Sequence, residues 1–564
     1  MKIFLEFQAL RSPWNIRTLC RLFHQYHRAF APLNFSDYEA INRCEKEVPE
    51  YFNFASDVLD KWSQIEKVGP SNPALWWING KGSEVKWSFE ELGFLSRKAA
   101  NVLSGPCDLQ RGDRVIVILP RIPEWWLLNV ACMRTGVIFI PGTTQLTAKD
   151  ICYRLLASKA KCIITTDALA PAVDSVASKC PSLKTKLIVS ESSRAEWLNF
   201  SDLFKAAPAV HNCVKTRSQD PTAIYFTSGT TGSPKMAEHS YGSLGLGFFL
   251  CGRYWMSLTR SDILWNMSDT AWVKAAIGGV FGPWFQGTCV FIHAMPQFDP
   301  GAILNVRTPS EFVPGCPLII SNALKHCLTG GEPLNPEVLA QWKSQTGLDI
   351  YEAYGQTEIG IICANRKGMK IKPGSLGKAT PPYDVQIVDE NGSILPPGKE
   401  GDIAIKINAK RPFTFFNHYL DDPVKTASTI RGNFYITGDR GSMDEDGYIW
   451  FMGRSDDVII SSGYRIGPFE IENALIEHPA VAESAVVSSP DPIRGEVVKA
   501  FVVLSPSVKS QDPKKLTCEL QDHVKKVTAP YKYPRKIEFV QQLPKTITGK
   551  IRRNELRKKE WGQI

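Results

Sequence analysis

No run of 18 or more apolar residues occurs anywhere in the sequence, so a membrane-spanning helix is not expected. The strongest candidate, Met267–Phe285, is interrupted by Asp269 and Lys274. There is no C-x-x-C pair and no His/Cys cluster at zinc-binding spacing, which excludes the common structural metal sites. The 14 cysteines are scattered, as expected of reduced, mostly buried thiols in a protein that is not secreted. Internal repeats and low-complexity tracts are also missing, which removes solenoid and linker-rich architectures. Net basic charge is missing from the body of the chain. Of the net +9, residues 1–30 hold +4 and residues 522–564 hold +8, leaving the remainder at −3. A general nucleic-acid surface is therefore not expected.

What is present is an ordinary globular composition, 43% hydrophobic and 22% charged, over 564 residues. That length requires at least two domains. The first 30 residues have the character of a mitochondrial transit peptide. Leu19, Leu22, Phe23, Tyr26 and Phe30 fall on one helical face, Arg17, Arg21 and Arg28 on the other, and Glu6 is the sole acid before Asp37. A surface helix or a peripheral membrane helix is the alternative.

Between Phe52 and Val189, β-rich runs at Val115–Leu119, Val137–Ile140, Cys162–Thr165 and Leu187–Val189 alternate with helical patterns at Glu124–Arg134 and Ala148–Ser158. This alternation predicts parallel α/β layers. A further strand, Ala223–Thr227, runs into a Gly/Ser/Thr loop, the position at which open α/β sheets carry ligands. A boundary is expected at Gly453–Asp457. After it come a strand at Val458–Ile460, a helix from Pro468, strands at Ala485–Ser489 and Val497–Leu504, and a helix at Leu516–Lys526. The fold class is thus α/β: a large multi-layer N-terminal domain over 31–453 and a small α+β domain over 454–564, with a cleft between them.

The chemistry begins at the loop Thr227, Ser228, Gly229, Thr230, Thr231, Gly232, Ser233, Pro234, Lys235. The glycines permit tight turning, and successive N–H groups, hydroxyls and the lysine can surround phosphate oxygens. The ending Pro-Lys, in place of G-K-[ST], excludes a Walker A loop. With this loop, and with runs such as Ser461–Pro468 and Ala529–Lys536, the sequence from Tyr51 to Trp561 resembles the adenylate-forming superfamily. It is most similar to the medium-chain acyl-CoA synthetases.

The resemblance implies further roles. Glu352, Ala353, Tyr354, Gly355, Gln356 and Thr357 match a nucleotide motif, with Tyr354 facing adenine, Thr357 the α-phosphate, and Glu358 serving as the Mg²⁺ ligand. Gly330–Pro333 matches the segment along the adenine. Asp439 matches the carboxylate that accepts the ribose hydroxyls, Arg454 and Arg465 contact the nucleotide, and Asp456 is the hinge. Lys550 matches the mobile lysine that stabilises charge as a carboxylate meets the α-phosphate of ATP. Ser462, Gly463, Tyr464 and Arg494 match CoA contacts, with Lys525, Lys526, Lys532 and Arg535 as a cationic face beside them. Trp272 matches the border of the acyl pocket, where Ala271 replaces the usual glycine.

The implied activity is a two-step ligation of a fatty carboxylate to CoA with ATP and Mg²⁺, in the mitochondrial matrix, by a monomer or weak oligomer. Transfer to an acceptor other than CoA is a competing reading. Another arises between Asp299 and Cys327, where relatives carry roughly a dozen more residues. This chain has Pro309, Pro314 and Pro317 in place of the family's strand entering a helix. A nucleotide-binding homologue impaired in catalysis is the alternative that this departure raises.

Overall fold

A computed structural model describes residues 33–69, 71–227, 234–295, 324–407, 411–462, 464–506, 512–545 and 550–563. Its largest sheet has eight strands in the order His418–Tyr419, Lys235–Ser240, Pro221–Thr227, Ile138–Pro141, Arg114–Val117, Cys162–Thr165, Thr185–Ile188, Leu198–Asn199. From Pro221–Thr227 to Leu198–Asn199 every neighbouring pair is parallel, as the strand–helix alternation predicted. Lys235–Ser240 and His418–Tyr419 are added antiparallel at the other edge. Strand ends differ from the apolar runs by one or two residues, because pairing sets them while hydrophobicity only marks the buried part.

The helix Ala148–Ser158 starts at a capping box between Thr147 and Asp150, within the range the pattern predicted. Pro123–Thr135 starts with proline in its first turn and ends on Gly136 at φ +74°. It is buried at every position but Glu124, since it is sandwiched between the sheet and the helix Phe89–Ser104. The apolar stretch Met267–Phe285 breaks into three short helical pieces, Val273–Ala276, Ile277–Phe281 and Gly282–Phe285. Among the described residues no helix is long and apolar enough to cross a membrane.

Three smaller sheets complete the N-terminal body. Two of them build the site: Cys327–Gly330, Ile350–Gln356, Gly360–Ala364 and Lys378–Ala379 in one, and Val385–Val388, Gly401–Lys406, Phe434–Met443, Ile430–Arg431 and Ile449–Arg454 in the other. The chain leaves the latter through a short turn, Ser455–Asp457. It then forms a five-stranded sheet from Tyr464–Ile466, Ile459–Ser461, Gly495–Leu504, Val481–Asp491 and Lys536–Phe539. The helices Pro468–Ile476 and Pro513–Val527 close a separate apolar core on it. Among the described cysteines only Cys44 and Cys518 are exposed, one in each body.

Candidate active site

The strand Ile350–Gln356 pairs in parallel with Cys327–Gly330 and antiparallel with Gly360–Ala364, with a bulge between Tyr354 and Gly355. Glycine is required there, because a Cβ on residue 355 would lie 2.0 Å from the Gly360 carbonyl oxygen. The bulge directs two donors at one carboxylate. Tyr354 donates its hydroxyl to Asp439 Oδ2 at 2.5 Å, and Gln356 Nε2 donates to the same oxygen at 2.8 Å and to the Thr437 carbonyl at 2.7 Å. Arg454 stands directly across the ladder from Asp439, with Nε 3.7 Å from Oδ1. Burial raises the Asp439 carboxyl above its ordinary range, and Arg454, the two donors and Lys550 oppose that rise. The result is a buried acceptor with one oxygen held by protein donors.

The predicted phosphate end is built from different elements. Thr227 and Lys235 pair across the antiparallel ladder, so the predicted phosphate loop springs from the end of a hairpin. Ser228, Gly229, Thr230, Thr231, Gly232 and Ser233 lie outside the described residues. Pro234 is anchored through its carbonyl, which accepts from the Tyr153 hydroxyl at 3.0 Å. Lys235 Nζ sits 5.6 Å from the ring centroid of Tyr419, whose hydroxyl donates to Glu358 Oε1 at 2.6 Å. Burial lowers the Lys235 ammonium pKa, with Lys425 and Arg454 adding to the effect and Glu358 opposing it.

The backbone of Thr357 and Glu358 is pinned from both sides. His239 Nε2 donates to the Thr357 carbonyl at 2.8 Å, and the Phe416 amide donates to the Glu358 carbonyl at 2.7 Å. Burial pushes the His239 pKa down to about 4, so the ring is neutral near pH 7. Among the described residues no three His, Cys, Asp or Glu side chains stand together. Glu358 alone fits magnesium in its usual mode, where one carboxylate shares the ion with phosphate oxygens and water.

At the predicted acyl border, Trp272 leads into Val273–Ala276. Lys550 reaches it from the C-terminal body: Nζ donates to the Gly331 carbonyl at 2.8 Å, lies 3.3 Å from Glu332 Oε1, and stands 5.5 Å from the centroid of a Trp272 ring. Lys274 Nζ donates to the neighbouring Gly330 carbonyl at 2.8 Å. Ala271 is held by its amide, which donates to Asp269 Oδ1 at 2.9 Å.

Glu352 and Ala353, predicted within the nucleotide motif, are buried. Glu352 Oε1 accepts from the Leu334 amide at 3.0 Å and so ties down the turn at Gly330–Pro333. Burial raises its carboxyl pKa to about 7. Its position is that of a brace for the nucleotide segment.

On the predicted CoA side, Ser462 adopts φ +49° and its amide donates to the Arg494 carbonyl at 3.2 Å. Tyr464 is 53% exposed and stacks on Tyr531 at 4.4 Å between centroids, offering a flat aromatic surface. Gly463 and the Arg465 side chain lie outside the described residues. The cationic face is less open than its composition suggests. Lys532 pairs with Glu470 at 2.6 Å, Lys525 pairs with Asp522 at 2.9 Å, and Arg535 donates to the Tyr533 hydroxyl at 2.7 Å. Asp456 is exposed, and its carbonyl accepts from the Arg557 guanidinium. Residues 1–30 and 296–323, the latter holding most of the altered segment 300–325, also lie outside the described residues.

Tyr419, His239 and the bracing role of Gln356 escaped the sequence reading. Tyr419 arrives by antiparallel pairing of His418–Tyr419 with Lys235–Ser240, and nothing local to residue 419 signals that partnership.

Residues 63–409 match the family model for AMP-binding enzymes, and residues 470–550 match the model for their C-terminal domain. The acyl-coenzyme A synthetase ACSM4, mitochondrial, of Mus musculus is 66% identical, with all of both chains covered. This chain belongs to the acyl-coenzyme A synthetases of the AMP-binding enzyme family. The mouse synthetase pairs with it over 579 positions, so at least 15 of them have no counterpart among the 564 residues here. Among solved structures, the anthranilate CoA ligase AuaEII in complex with anthranoyl-AMP superposes with a TM-score of 0.80 at 28% identity, covering 92% of this synthetase and 99% of that chain. ATP-bound MatB from Rhodopseudomonas palustris gives a TM-score of 0.77 at 26% identity, covering 90% and 98%. No observation favours an impaired homologue.

Proposed function

We propose that this synthetase joins a medium-chain fatty carboxylate to CoA, with conversion of ATP to AMP and pyrophosphate through an acyl-adenylate. The supporting observation is Lys550, carried by the C-terminal body to Trp272, where its charge also reaches Asp439. In the first step a carboxylate oxygen attacks the α-phosphorus, the bond to the β-phosphate breaks, and pyrophosphate leaves. Two anions must meet, and Lys550 supplies positive charge where negative charge develops. Asp439 accepts the ribose hydroxyls, Tyr354 flanks adenine, and Thr227, Lys235 and the 228–233 loop hold the phosphates. Glu358 would hold magnesium, which would supply positive charge against the triphosphate.

In the second step the C-terminal body, residues 454–564, turns about Asp456 and brings Ser462, Gly463, Tyr464 and Arg494 to CoA. The CoA thiol then attacks the acyl carbonyl carbon and AMP leaves with its electron pair. Arg454 and Arg465 complete the nucleotide contacts in this reading, and residues 31–453 form the ATP- and acyl-binding part. The names of the relatives and the character of residues 1–30 support a mitochondrial location, in the matrix, after removal of a leader.

The purified chain given octanoate, Mg-ATP and CoA should yield AMP and octanoyl-CoA in equal amounts. Failure to release pyrophosphate with a panel of short, medium and aromatic acids would overturn this function.

A further inference from the structure

The turn after Cys327–Gly330 is held from two directions by the N-terminal body. Lys274 donates to the Gly330 carbonyl at 2.8 Å, and Glu352 accepts from the Leu334 amide at 3.0 Å. Gly331, at φ +104°, sits at the crest of this turn, in a left-handed conformation that favours glycine. The crest is engaged by the C-terminal body. Lys550 takes the Gly331 carbonyl at 2.8 Å and the Glu332 carboxylate at 3.3 Å. The charge of Glu332 is also felt by Arg553 and by Glu472, a buried pair of the C-terminal body joined at 2.6 Å. Glu332 thus pairs with Lys550 and lies within electrostatic reach of Arg553, both of the other body.

We propose that Glu332 is a positioning residue that holds Lys550 over Trp272 and keeps the C-terminal body in the adenylate-forming orientation until substrates arrive. The proposal rests on the reading of Lys550 as the adenylation lysine. The side chains of Lys550 and Glu332 are 36% and 45% exposed, so their pair is a weak one in water. Weakness suits a contact that must break. The fatty carboxylate and the α-phosphate together offer the ammonium more negative charge than one half-exposed glutamate does, and they draw it away. When the C-terminal body turns for the CoA step, Lys550 leaves and Glu332 loses this partner.

The test separates the half-reactions in Glu332→Gln. Octanoate-dependent exchange of pyrophosphate into ATP is expected to fall by about three- to five-fold, the range of an exposed ion pair. At saturating octanoyl-AMP, its conversion with CoA to octanoyl-CoA should fall less than the exchange does. Glu332→Asp should recover part of the exchange, and added KCl should narrow the difference between wild type and Glu332→Gln. Equal exchange in wild type and Glu332→Gln, or an equal fall in both half-reactions, would overturn the proposal. Lys550→Ala is measured alongside. If it leaves exchange intact, the reading of Lys550 itself fails; if it abolishes exchange while Glu332→Gln does not change it, only the role of Glu332 fails.

Discussion

A carboxylate proposed to receive two hydroxyls in a buried site must first be fixed itself, and Asp439 is fixed by Tyr354 and Gln356 on one oxygen. A hydrogen bond to a charged acceptor contributes about 1.5–3 kcal/mol. Tyr354→Phe or Gln356→Leu is therefore expected to raise KM for ATP about ten-fold or more, with KM for octanoate nearly unchanged, in steady-state kinetics at saturating CoA. Two other buried groups give opposite pH signatures. The pKa of Glu352 is raised to about 7 by burial, so between its ordinary value of 4.5 and 7 the folded chain holds a proton that the unfolded chain releases. Stability from this group falls as pH rises through that window, by up to about 3 kcal/mol. The pKa of His239 is lowered to about 4, so the unfolded chain binds the extra proton between 4 and 6.5, and stability falls as pH drops there. The two slopes cancel in part in the native protein. Glu352→Gln should therefore lose less Tm, or gain more, at pH 8 than at pH 5.5, measured against wild type at each pH. A gap independent of pH would show that Glu352 ionises normally.

At the scale of elements, the bulge in Ile350–Gln356 is the least forgiving feature. The 2.0 Å approach of a Cβ on residue 355 to the Gly360 carbonyl cannot be relieved by rotating a side chain, since both partners are backbone. Gly355→Ala should force the strands apart and cost several kcal/mol, read as a Tm fall of several degrees or loss of soluble protein. Most elements around this site were legible in the sequence. Ala148–Ser158 announces itself by its helical pattern, and the parallel sheet by strands alternating with helices. Glu358 and Asp439 were legible through their motifs. The bond between Tyr419 and Glu358 was not, because it depends on a two-residue strand adding itself to Lys235–Ser240. Nor was the inward turn of Glu352, since a motif names a residue without saying which neighbour its side chain will meet. The C-terminal lysines read as one cationic face for a similar reason: the pairing of Lys532 with Glu470 spans 62 residues and leaves no local trace.

At the scale of the whole molecule, the proposed chemistry is divided between two bodies joined through Ser455–Asp457. Asp439, Glu358 and Trp272 belong to one, Lys550 and Ser462 to the other. Lys550→Ala should therefore abolish pyrophosphate exchange and leave octanoyl transfer from preformed octanoyl-AMP to CoA largely intact. An equal loss of both would sink the assignment of Lys550 to the first step alone. The packing of Phe451 against Phe469 at 5.0 Å, with Arg553 stacked on Phe469 at 4.2 Å, adds an apolar seam to the charged one at Glu332. Phe469→Ala should weaken that seam and lower exchange more than thioester formation.

The two exposed cysteines bear on how such motion could be watched. Cys44 follows the helix Phe35–Asn42, which is anchored to the N-terminal body where Asn42 Nδ2 donates to the Leu246 carbonyl at 3.0 Å. Cys518 lies on the helix Pro513–Val527 of the C-terminal body. The other described thiols are wholly or partly buried. With Cys20 and Cys316 replaced by serine, the native chain thus offers maleimide dyes one foothold on each body. A single-molecule energy-transfer trace between them would report the turning of one body against the other as ATP, fatty acid and CoA are added in sequence.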